Sequence, residues 1–348
     1  MTMPLALYVM NVGQGQCVVL INSNPASLRA AIVDAGTDGR QLAKWLKNVG
    51  VRQIPAVVLT HNHDDHIRGA TDLVEAFAGK VGKIYYVIDQ PPTKIPIWLP
   101  IQQWLEKEKI AAAVKVCPED TAGPTHGKAL LPRGLDGFQL YCVYPTEIEL
   151  AGVAVAAPLL GTHPGANNPN AASAILRLVR SADPDKSVAL LGGDMTFRGW
   201  QRLHERNCDL ASEVLVVPHH GSGKGATAAF GPHHLAQAVK PEYALFSVGT
   251  DNNYGHPAAE VVKELRVAGA RVLCTQITPQ CHANPASLPG GVAPDPANPK
   301  LASGGVPCAG TIMVKVPDAG AVDVVRLSDH QNAVDSLTKA PVCTLCRR

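Results

Sequence analysis

The stretch that decides the fold is Thr60-His61-Asn62-His63-Asp64-Asp65-His66, which directly follows the apolar run at residues 54–59. Such a run is typical of a buried strand, and the histidines and carboxylates begin where that strand ends. Imidazole and carboxylate ligands together indicate Zn²⁺, Mn²⁺ or iron rather than an all-cysteine structural zinc. The alternative is a polar, histidine-rich loop that binds no metal, but the ordered spacing H-x-H-x-D-H favours a metal site.

The composition is that of a globular protein. Of the 348 residues, 46% are hydrophobic and 17% are charged, so the chain can bury a large core and is unlike a disordered segment. The formal net charge is only +2, and no block of lysine or arginine stands out. Any contact with nucleic acid is therefore expected to be local rather than made through a broad basic surface.

Neither a membrane span nor a signal peptide is predicted. No apolar segment reaches the roughly 18 to 20 residues that cross a bilayer. Residues 1–10 lack a basic beginning and run into a glycine-rich turn, which predicts a first strand instead. We therefore expect a cytoplasmic protein with no membrane partner. Four cysteines are scattered singly along the chain, and we expect them to be small core residues: Cys17, Cys117, Cys142 and Cys208.

Strand and helix patterns alternate along both halves of the chain. Strands are predicted at residues 5–10, 16–21, 30–34, 54–59, 83–88, 138–143, 174–179, 187–191, 213–217, 243–248, 311–316 and 321–327. Helices are predicted around residues 41–48, 73–77, 101–109, 197–206, 233–239 and 257–267, with a proline-rich loop at 90–100. Residues 278–307 are rich in Pro, Ala, Gly and Asn, which predicts an irregular insertion. Strands in both halves with helices between them predict an α/β fold of two sheets sandwiched by helices.

Five polar motifs follow predicted strands. They are N-V-G-Q-G-Q at 11–16, the H-x-H-x-D-H loop, L-G-G-D at 191–194, V-P-H-H-G-S at 217–222, and the segment 247–257 that ends in Y-G-H-P. Because α/β folds build active sites at strand ends, we expect these motifs to meet at one edge.

In this order, the motifs resemble those of the metallo-β-lactamase superfamily, and most closely the soluble hydrolase domain of the ComEC-type competence DNA-uptake proteins. The resemblance runs from about residue 5 to about residue 327, broken by the insertion. It implies a four-layer αβ/βα sandwich. We accordingly predict a hydrolase domain at residues 1–330, with the insertion at about 278–307, and a cysteine-containing tail at 331–348.

The resemblance also implies a set of metal ligands. These are His61 and His63 on a first metal, Asp65, His66 and His220 on a second, and Asp194 between the two. His219 would donate to a substrate phosphate or fix the tautomer of a metal-binding histidine. The reverse assignment, with His219 as the metal ligand in place of His220, is the alternative. Asp64 is expected to be a solvent-facing or structural residue rather than a ligand. The third ligand of the first metal is open between His163 and Asn170, and Asp34 resembles an aspartate that supports a ligand, or caps a strand.

These groups imply a two-metal hydrolase. Two divalent ions, Zn or Mn, roughly 3.5 to 4 Å apart would hold a bridging hydroxide as the nucleophile, with Asp65 and Asp194 catalytic through the metals. His256, in the Gly-His-Pro turn before a helix, is expected to donate to a phosphate or a leaving oxygen. Ser222 and Lys224 would bind phosphate through hydroxyl and ammonium, although Lys224 also fits a solvated surface position.

The sequence departs from the competence-protein pattern in its first motif. That motif usually reads D-x-G-Q-G-D, and Asn11 and Gln16 stand here at its two aspartate positions. Two negative charges are lost, which is expected to change phosphate affinity or metal preference and to leave the main ligands intact.

The C-terminal cysteines lie outside the catalytic motifs. Cys281, Cys308 and the pair Cys343-x-x-Cys346 are enough for a tetrahedral structural zinc, with Cys274 and His282 nearby in the sequence. The alternatives are reduced thiols and, last, disulfides. A zinc ion here would tie the insertion to the tail.

Three function classes remain open at this point. The resemblance favours a metal-dependent phosphodiesterase or nuclease whose partner is DNA, RNA or a nucleotide. A hydrolase of a small ester, lactone or amide uses the same metal core, and a metal-binding scaffold without turnover is the third class.

Overall fold

The computed structural model describes residues 5–22, 24, 26–87, 99, 101, 103, 106, 113–115, 127–131, 135–146, 169–288, 299–302 and 304–337. Most of the predicted loop at 90–100, most of the predicted helix at 101–109, and Cys117, His163, Cys343 and Cys346 lie outside these residues.

The strands of the described residues form two mixed sheets. The first contains β1 (Leu5–Val9), β2 (Val18–Asn22), β3 (Arg29–Val33), β4 (Gln53–Leu59), β5 (Val81–Tyr86), β6 (Ala113–Lys115), β14 (Ile312–Val316) and β15 (Asp323–Val324). The second contains β7 (Lys128–Ala129), β8 (Phe138–Tyr144), β9 (Ile175–Arg180), β10 (Asp183–Leu191), β11 (Ser212–Val216), β12 (Tyr243–Phe246) and β13 (Arg271–Cys274). The spatial orders are β15-β14-β1-β2-β3-β4-β5-β6 and β13-β12-β11-β10-β9-β8-β7.

Seven α-helices lie within the described residues. They are α1 (Gly39–Asn48), α2 (Asp64–Ile67), α3 (Ala70–Ala76), α4 (Phe197–Glu205), α5 (Pro232–Val239), α6 (Ala259–Val267) and α7 (Leu327–Leu337). Short 3₁₀ turns occur at Pro169–Ala172, Pro218–Gly221 and Pro285–Ser287. None of the helices in this part of the chain has the length and apolar character needed to cross a membrane.

Alternate residues of the strands face two different apolar layers. Ala56 and Val58 of β4 join the cluster between the sheets, where they meet residues such as Leu176 and Val216 of the second sheet. Val57 and Leu59 of the same strand point the other way. Both faces of β4 are therefore buried, which explains its nearly continuous apolar run.

Helices cover the outer face of each sheet. Leu42 and Leu46 of α1 and Leu73 of α3 pack on the first sheet, while Trp200 of α4 and Val262 of α6 pack on the second. The order of layers is helix, sheet, sheet, helix. The predicted four-layer αβ/βα sandwich is confirmed.

In both sheets, the loops that carry the polar motifs follow the C-terminal ends of parallel strands. Strands β3 to β6 run parallel to one another, and so do β10 to β13. Parallel strands end at a common edge of their sheet. The loops after β4, β10, β11 and β12 therefore gather side chains from different parts of the chain.

The C-terminal region differs from the sequence prediction. A strand was expected at 321–327 and a tail from residue 331, but β15 covers only two residues and α7 follows it through residue 337. Two residues four positions apart on α7, His330 and Val334, are buried. This i, i+4 spacing is the apolar face of a helix. The described parts of 278–307 contain one 3₁₀ turn and two isolated β-bridges, as expected of an irregular segment.

Candidate metal centre

The first group of metal-ligand side chains consists of His61, His63 and Asp194. One candidate ligand atom from each of them lies within 4.8 Å of those of the other two. Nε2 of His61 is 3.6 Å from Oδ2 of Asp194. The two histidines follow β4 in the first sheet, and the aspartate follows β10 in the second, so the group spans the gap between the sheets.

The second group consists of Asp65, His66 and His220, again with the three ligand atoms within 4.8 Å of one another. Nε2 of His220 lies 3.5 Å from Oδ2 of Asp65. Oδ1 of Asp194 lies 3.2 Å from Nε2 of His66 and 3.4 Å from Nε2 of His220. One oxygen of Asp194 thus faces each group.

The buried atoms of the centre fit divalent metals. Nε2 of His61, His66 and His220 and Oδ1 of Asp194 are shielded from solvent and have no hydrogen-bond partner among the described residues. Burying such groups without partners is costly. Imidazole nitrogens and carboxylate oxygens are the donors that Zn²⁺ and Mn²⁺ accept in proteins. The residues present therefore fit a metal in either group.

A buried network holds His66 with Nε2 turned toward the centre. Nδ1 of His66 donates to Oδ2 of Asp34 at 2.7 Å. The same carboxylate accepts bonds from the backbone N–H and the hydroxyl of Thr60, both at 2.8 Å, and from the amide of Gln16 at 3.2 Å. A proton on Nδ1 leaves the lone pair of Nε2 available to a metal.

Hydroxyl and carbonyl groups orient two further histidines in the same way. Nδ1 of His220 donates to the carbonyl of Ser247 at 2.8 Å. Thr60 gives its hydroxyl proton to Asp34, so its oxygen accepts from Nδ1 of His61 at 3.1 Å. In both rings Nε2 is the nitrogen left for a metal.

The turn that carries the paired histidines has an uncommon backbone. His219 and His220 have φ values of 51° and 53°, in the left-handed region. Non-glycine residues hold this conformation only where the surroundings enforce it, as at functional sites. The backbone N–H of His219 donates to the carbonyl of Gly193 at 2.8 Å, which ties this turn to the loop that carries Asp194.

The charges of the centre are strongly coupled. Burial opposes charge on His66, but the carboxylates of Asp194 and Asp34 outweigh it and hold the pKa of His66 well above its ordinary value. Burial likewise opposes ionisation of Asp194, yet His66 and His220 hold the pKa of this carboxyl well below its usual range. Burial keeps the pKa of His61 low. Asp194 is therefore ionised and available to cations.

Asn170 and His219 lie beside the first group. The side-chain amide of Asn170 is 3.0 Å from Nε2 of His219. That Nε2 is 4.0 Å from Oδ2 of Asp194, the oxygen that faces His61. Of the two candidates for the third ligand of the first metal, Asn170 is thus near the centre, whereas His163 falls outside the described residues. This contact joins positions 49 residues apart, which no local pattern reveals.

His256 closes the side of the centre nearest to α6. Its ring centroid is 5.7 Å from that of His219 and 6.4 Å from that of His220. The side chain of Asn252 accepts from the His256 N–H at 2.8 Å and donates to its carbonyl at 3.1 Å. Burial, reinforced by His220, lowers the pKa of His256 to about 4, so its ring is neutral at neutral pH.

Ser222 and Lys224 follow the paired histidines. Ser222 is buried, and its hydroxyl accepts from the backbone N–H of Lys224 at 3.2 Å. Burial is the main cause that lowers the pKa of His219 to about 4, and the charge of Lys224 adds to it. The positive charge of Lys224 thus disfavours protonation of His219.

The two residues that depart from the competence-protein motif have different surroundings. Gln16 donates to Asp34, as described above, and so supports His66 indirectly. Asn11 instead accepts from the amide of Gln276 at 2.8 Å and donates its backbone N–H to Thr311 at 3.0 Å. Asn11 therefore connects the sheet to residues near the insertion. Of these two residues, Gln16 is the one that contacts the hydrogen-bond network of the metal ligands.

Residues 10–131 match the family model described as the metallo-beta-lactamase superfamily. Among curated proteins, the chain is 34% identical over 110 residues to competence protein ComA of Neisseria gonorrhoeae, which covers 31% of this chain and 15% of that protein. It is 35% identical over 86 residues to ComE operon protein 3 of Bacillus subtilis strain 168, a match that covers 25% of this chain and 10% of that protein. The matched segments are thus a small part of both relatives.

Solved structures with a similar arrangement include the metallo-beta-lactamase fold protein YhfI from Bacillus subtilis. It has 14% identity and a TM-score of 0.45, with 78% of this chain and 96% of YhfI covered. Human tRNase Z, short form, has 13% identity and a TM-score of 0.38, with coverage of 70% and 92%.

The sequence match and the observed sandwich agree with each other. The matched residues include β2 to β5 of the first sheet and the whole H-x-H-x-D-H loop. The predicted resemblance to competence proteins is confirmed over the matched segments. Over residues 10–131, this chain matches the metallo-β-lactamase superfamily.

Proposed function

We propose that the protein is a metal-dependent phosphodiesterase that acts on DNA, RNA or nucleotides. The observation that carries the proposal is the position of Asp194, which presents one carboxylate oxygen to each of two groups of ligand side chains. A shared carboxylate between two such groups is the arrangement of two-metal hydrolases, which include phosphatases and nucleases.

Each side chain of the centre has a distinct role in this proposal. His61 and His63 would hold the first metal and Asp65, His66 and His220 the second, with Asp194 placed between the two groups. Zn²⁺ or Mn²⁺, when bound, activates a water and stabilises charge on the attacked phosphate. His219 stays outside the ligand set because its Nε2 is already engaged with Asn170.

Neutral and charged donors surround the place where a phosphate would sit. The ring of His256 is neutral and offers an N–H to a phosphate or leaving-group oxygen, while Asn252 fixes its backbone. Lys224 supplies a positive charge and Ser222 a hydroxyl. These groups bind and orient an anionic ester, and they add to the charge that the metals neutralise.

Among the described residues, one exposed aromatic ring favours a nucleic-acid substrate over a small ester, lactone or amide. Tyr254 is 67% exposed, and its ring lies nearly parallel to that of His256, with an interplanar angle of 17° and centroids 5.7 Å apart. An exposed ring beside a catalytic centre is a surface on which a base can stack. The resemblance to competence proteins supports the same substrate class.

Tyr254→Ala is expected to raise KM for single-stranded oligonucleotides by about 5- to 150-fold, because base–aromatic stacking contributes about 1 to 3 kcal/mol. Hydrolysis of bis(p-nitrophenyl) phosphate, which has no base, should change little. Steady-state kinetics on both substrates checks this, with Tyr254→Phe as the control that keeps the ring. An equal loss on both substrates would show that Tyr254 supports the centre rather than the base.

The proposed activity is tested with full-length protein reconstituted with Zn²⁺ or Mn²⁺. The substrates are single-stranded DNA, duplex DNA, RNA, bis(p-nitrophenyl) phosphate, and a p-nitrophenyl ester with a lactone for comparison. We expect metal-dependent cleavage of the phosphodiesters. Turnover of the carboxylic ester or lactone alone would support the second function class, and tight metal binding without any turnover would support a scaffold.

The location and domain division also stay proposals. We place the protein in the cytoplasm, with a hydrolase domain at residues 1–330 and a tail after it. Cell fractionation tests the first of these. Limited proteolysis tests the second, and because α7 spans residue 330, no cleavage is expected at that boundary.

A further inference from the structure

Two of the polar motifs contact each other across the gap between the sheets. The first motif, at residues 11–16, follows β1 of the first sheet, and the segment that begins at Ser247 follows β12 of the second. The hydroxyl of Ser247 donates to the carbonyl of Gly15 at 2.6 Å, and Ser247 is buried. This bond joins positions 232 residues apart. Neither residue supplies a ligand to the two metal groups, so the contact has no role in the function described so far.

On one side of this contact lies a ligand that the second sheet provides. The carbonyl of Ser247 accepts from Nδ1 of His220 at 2.8 Å, which leaves Nε2 for a metal. The hydroxyl of Ser247 therefore holds the first motif while its carbonyl holds the ring of His220. Because the hydroxyl fixes the residue, the carbonyl has a defined position for that ring.

On the other side lies Asp65, a ligand that the first sheet provides. The backbone N–H of Gln16 donates to the carbonyl of Asp65 at 3.2 Å. Gly15 lies so close to this residue that a Cβ atom at position 15 would overlap the same carbonyl oxygen. Its φ of 138° also favours glycine. The first motif thus determines how far Asp65 reaches toward the second group.

A second contact joins the same two loops. Oε1 of Gln14 accepts from the backbone N–H of Gly249 at 3.3 Å. A Cβ atom at Gly249 would overlap the backbone nitrogen of Gln14, so the two loops pack directly against each other. The position of one loop therefore determines the position of the other.

We propose that Ser247 is a positioning residue of the second metal group, which holds Asp65 and His220 at the separation that one ion requires. These two ligands come from different sheets, and Oδ2 of Asp65 lies 3.5 Å from Nε2 of His220. Zinc binds such atoms at about 2 Å, so a small shift of one loop removes a ligand. The inference rests on the metal-binding part of the proposed function and is independent of the substrate.

The first test is the affinity of the full-length protein for Zn²⁺, measured by competition with a chromophoric chelator. We expect Ser247→Ala to weaken one of the two bound equivalents by about 10- to 100-fold, the usual effect of removing a group that orients a ligand. The other equivalent should bind as in the wild type. Equal weakening of both equivalents, or no change in either, would overturn the proposal.

Ser212→Ala is the matched control for this variant. Ser212 is also a buried serine of the second sheet, and its hydroxyl lies 3.0 Å from that of Ser187. It begins β11, whereas His220 follows the other end of that strand. We expect Ser212→Ala to bind both equivalents with wild-type affinity. A selective loss of one equivalent in the control as well would attribute the effect to the sheet and refute the role of Ser247.

Gly15→Ala tests the contact from the first sheet and decides the question if Ser247→Ala does not fold. The added methyl group would displace the carbonyl of Asp65, so we expect the same equivalent to be weakened. Gly13→Ala is its control, because Gly13 also has a positive φ, of 79°. Among the described residues, a Cβ atom there would meet only that of Ala302, at 3.5 Å, which is an ordinary contact. Equal weakening in both glycine variants would assign the effect to backbone strain and contradict the proposal.

A double variant identifies which equivalent is affected. Asp65→Ala removes the carboxylate of the second group, so the zinc that remains belongs to the first group. Adding Ser247→Ala should leave the affinity for this zinc unchanged, because the two substitutions act on the same site. A further loss would overturn the proposal. A wild type that binds both equivalents but cleaves no phosphodiester would refute the proposed activity alone.

Discussion

Asp194→Ala is expected to lower kcat/KM for bis(p-nitrophenyl) phosphate by about 1,000-fold or more. The substitution removes the one carboxylate that faces both groups of ligands. Loss of several kcal/mol of stabilisation by the metals corresponds to this factor, at about 1.4 kcal/mol for each tenfold change. The sandwich should persist, because Asp194 lies outside the three apolar clusters that hold its layers together.

The measurement combines steady-state kinetics, metal content and circular dichroism. Asp183→Ala is a suitable control, since Asp183 is exposed at the other end of the same strand, β10. We expect the control to retain wild-type activity. Unchanged activity and metal content in a folded Asp194→Ala variant would refute the bridging role.

Asp65→Ala is expected to remove the second metal, with a loss of activity that approaches that of Asp194→Ala. Asp65 is the only carboxylate within the second group, and its Oδ2 lies 3.5 Å from His220. Burial opposes ionisation of Asp65, but the nearby rings of His220 and His66 outweigh it and hold the pKa of this carboxyl well below its usual range. The metal content should fall by about one equivalent.

The neighbouring Asp64 gives a closely matched control. It has the same side chain, one position earlier, but pairs with Arg68 at 2.9 Å on the surface of α2. Asp64→Ala should therefore keep both metals and most of the activity. If the two variants lost activity equally, the loop as a whole, rather than ligation by Asp65, would explain the effect.

The parts of the centre that could be predicted from the sequence are those whose residues are close together in the chain. His61, His63, Asp65 and His66 come from one loop, and the loop follows an apolar strand that is easily recognised. Asp194 and His220 could be added only through the family resemblance, because their place depends on how the two sheets pack.

Contacts between distant positions could not be predicted from local patterns. The bond from His220 to the carbonyl of Ser247 spans 27 residues, and that from Gln16 to Asp34 spans 18. A hydrogen bond to a backbone carbonyl leaves no pattern in the sequence. From the sequence, Gln16 is only the replacement of a charged residue, and its hydrogen bond to Asp34 becomes apparent in the structure. Helix α7 was missed for a different reason, since a short polar helix with few apolar positions resembles a tail.

Each group of ligands takes side chains from both halves of the molecule, so a bound ion would act as a cross-link between the two sheets. By mass action, a ligand that binds only the native state at 100 times its dissociation constant adds about 2.7 kcal/mol to the free energy of unfolding. Resistance to denaturants would then depend on the free metal concentration of the solution. Chelation would stop hydrolysis and would also weaken the association of the two sheets. In cells short of the metal, a larger fraction of the protein would be unfolded and open to proteases.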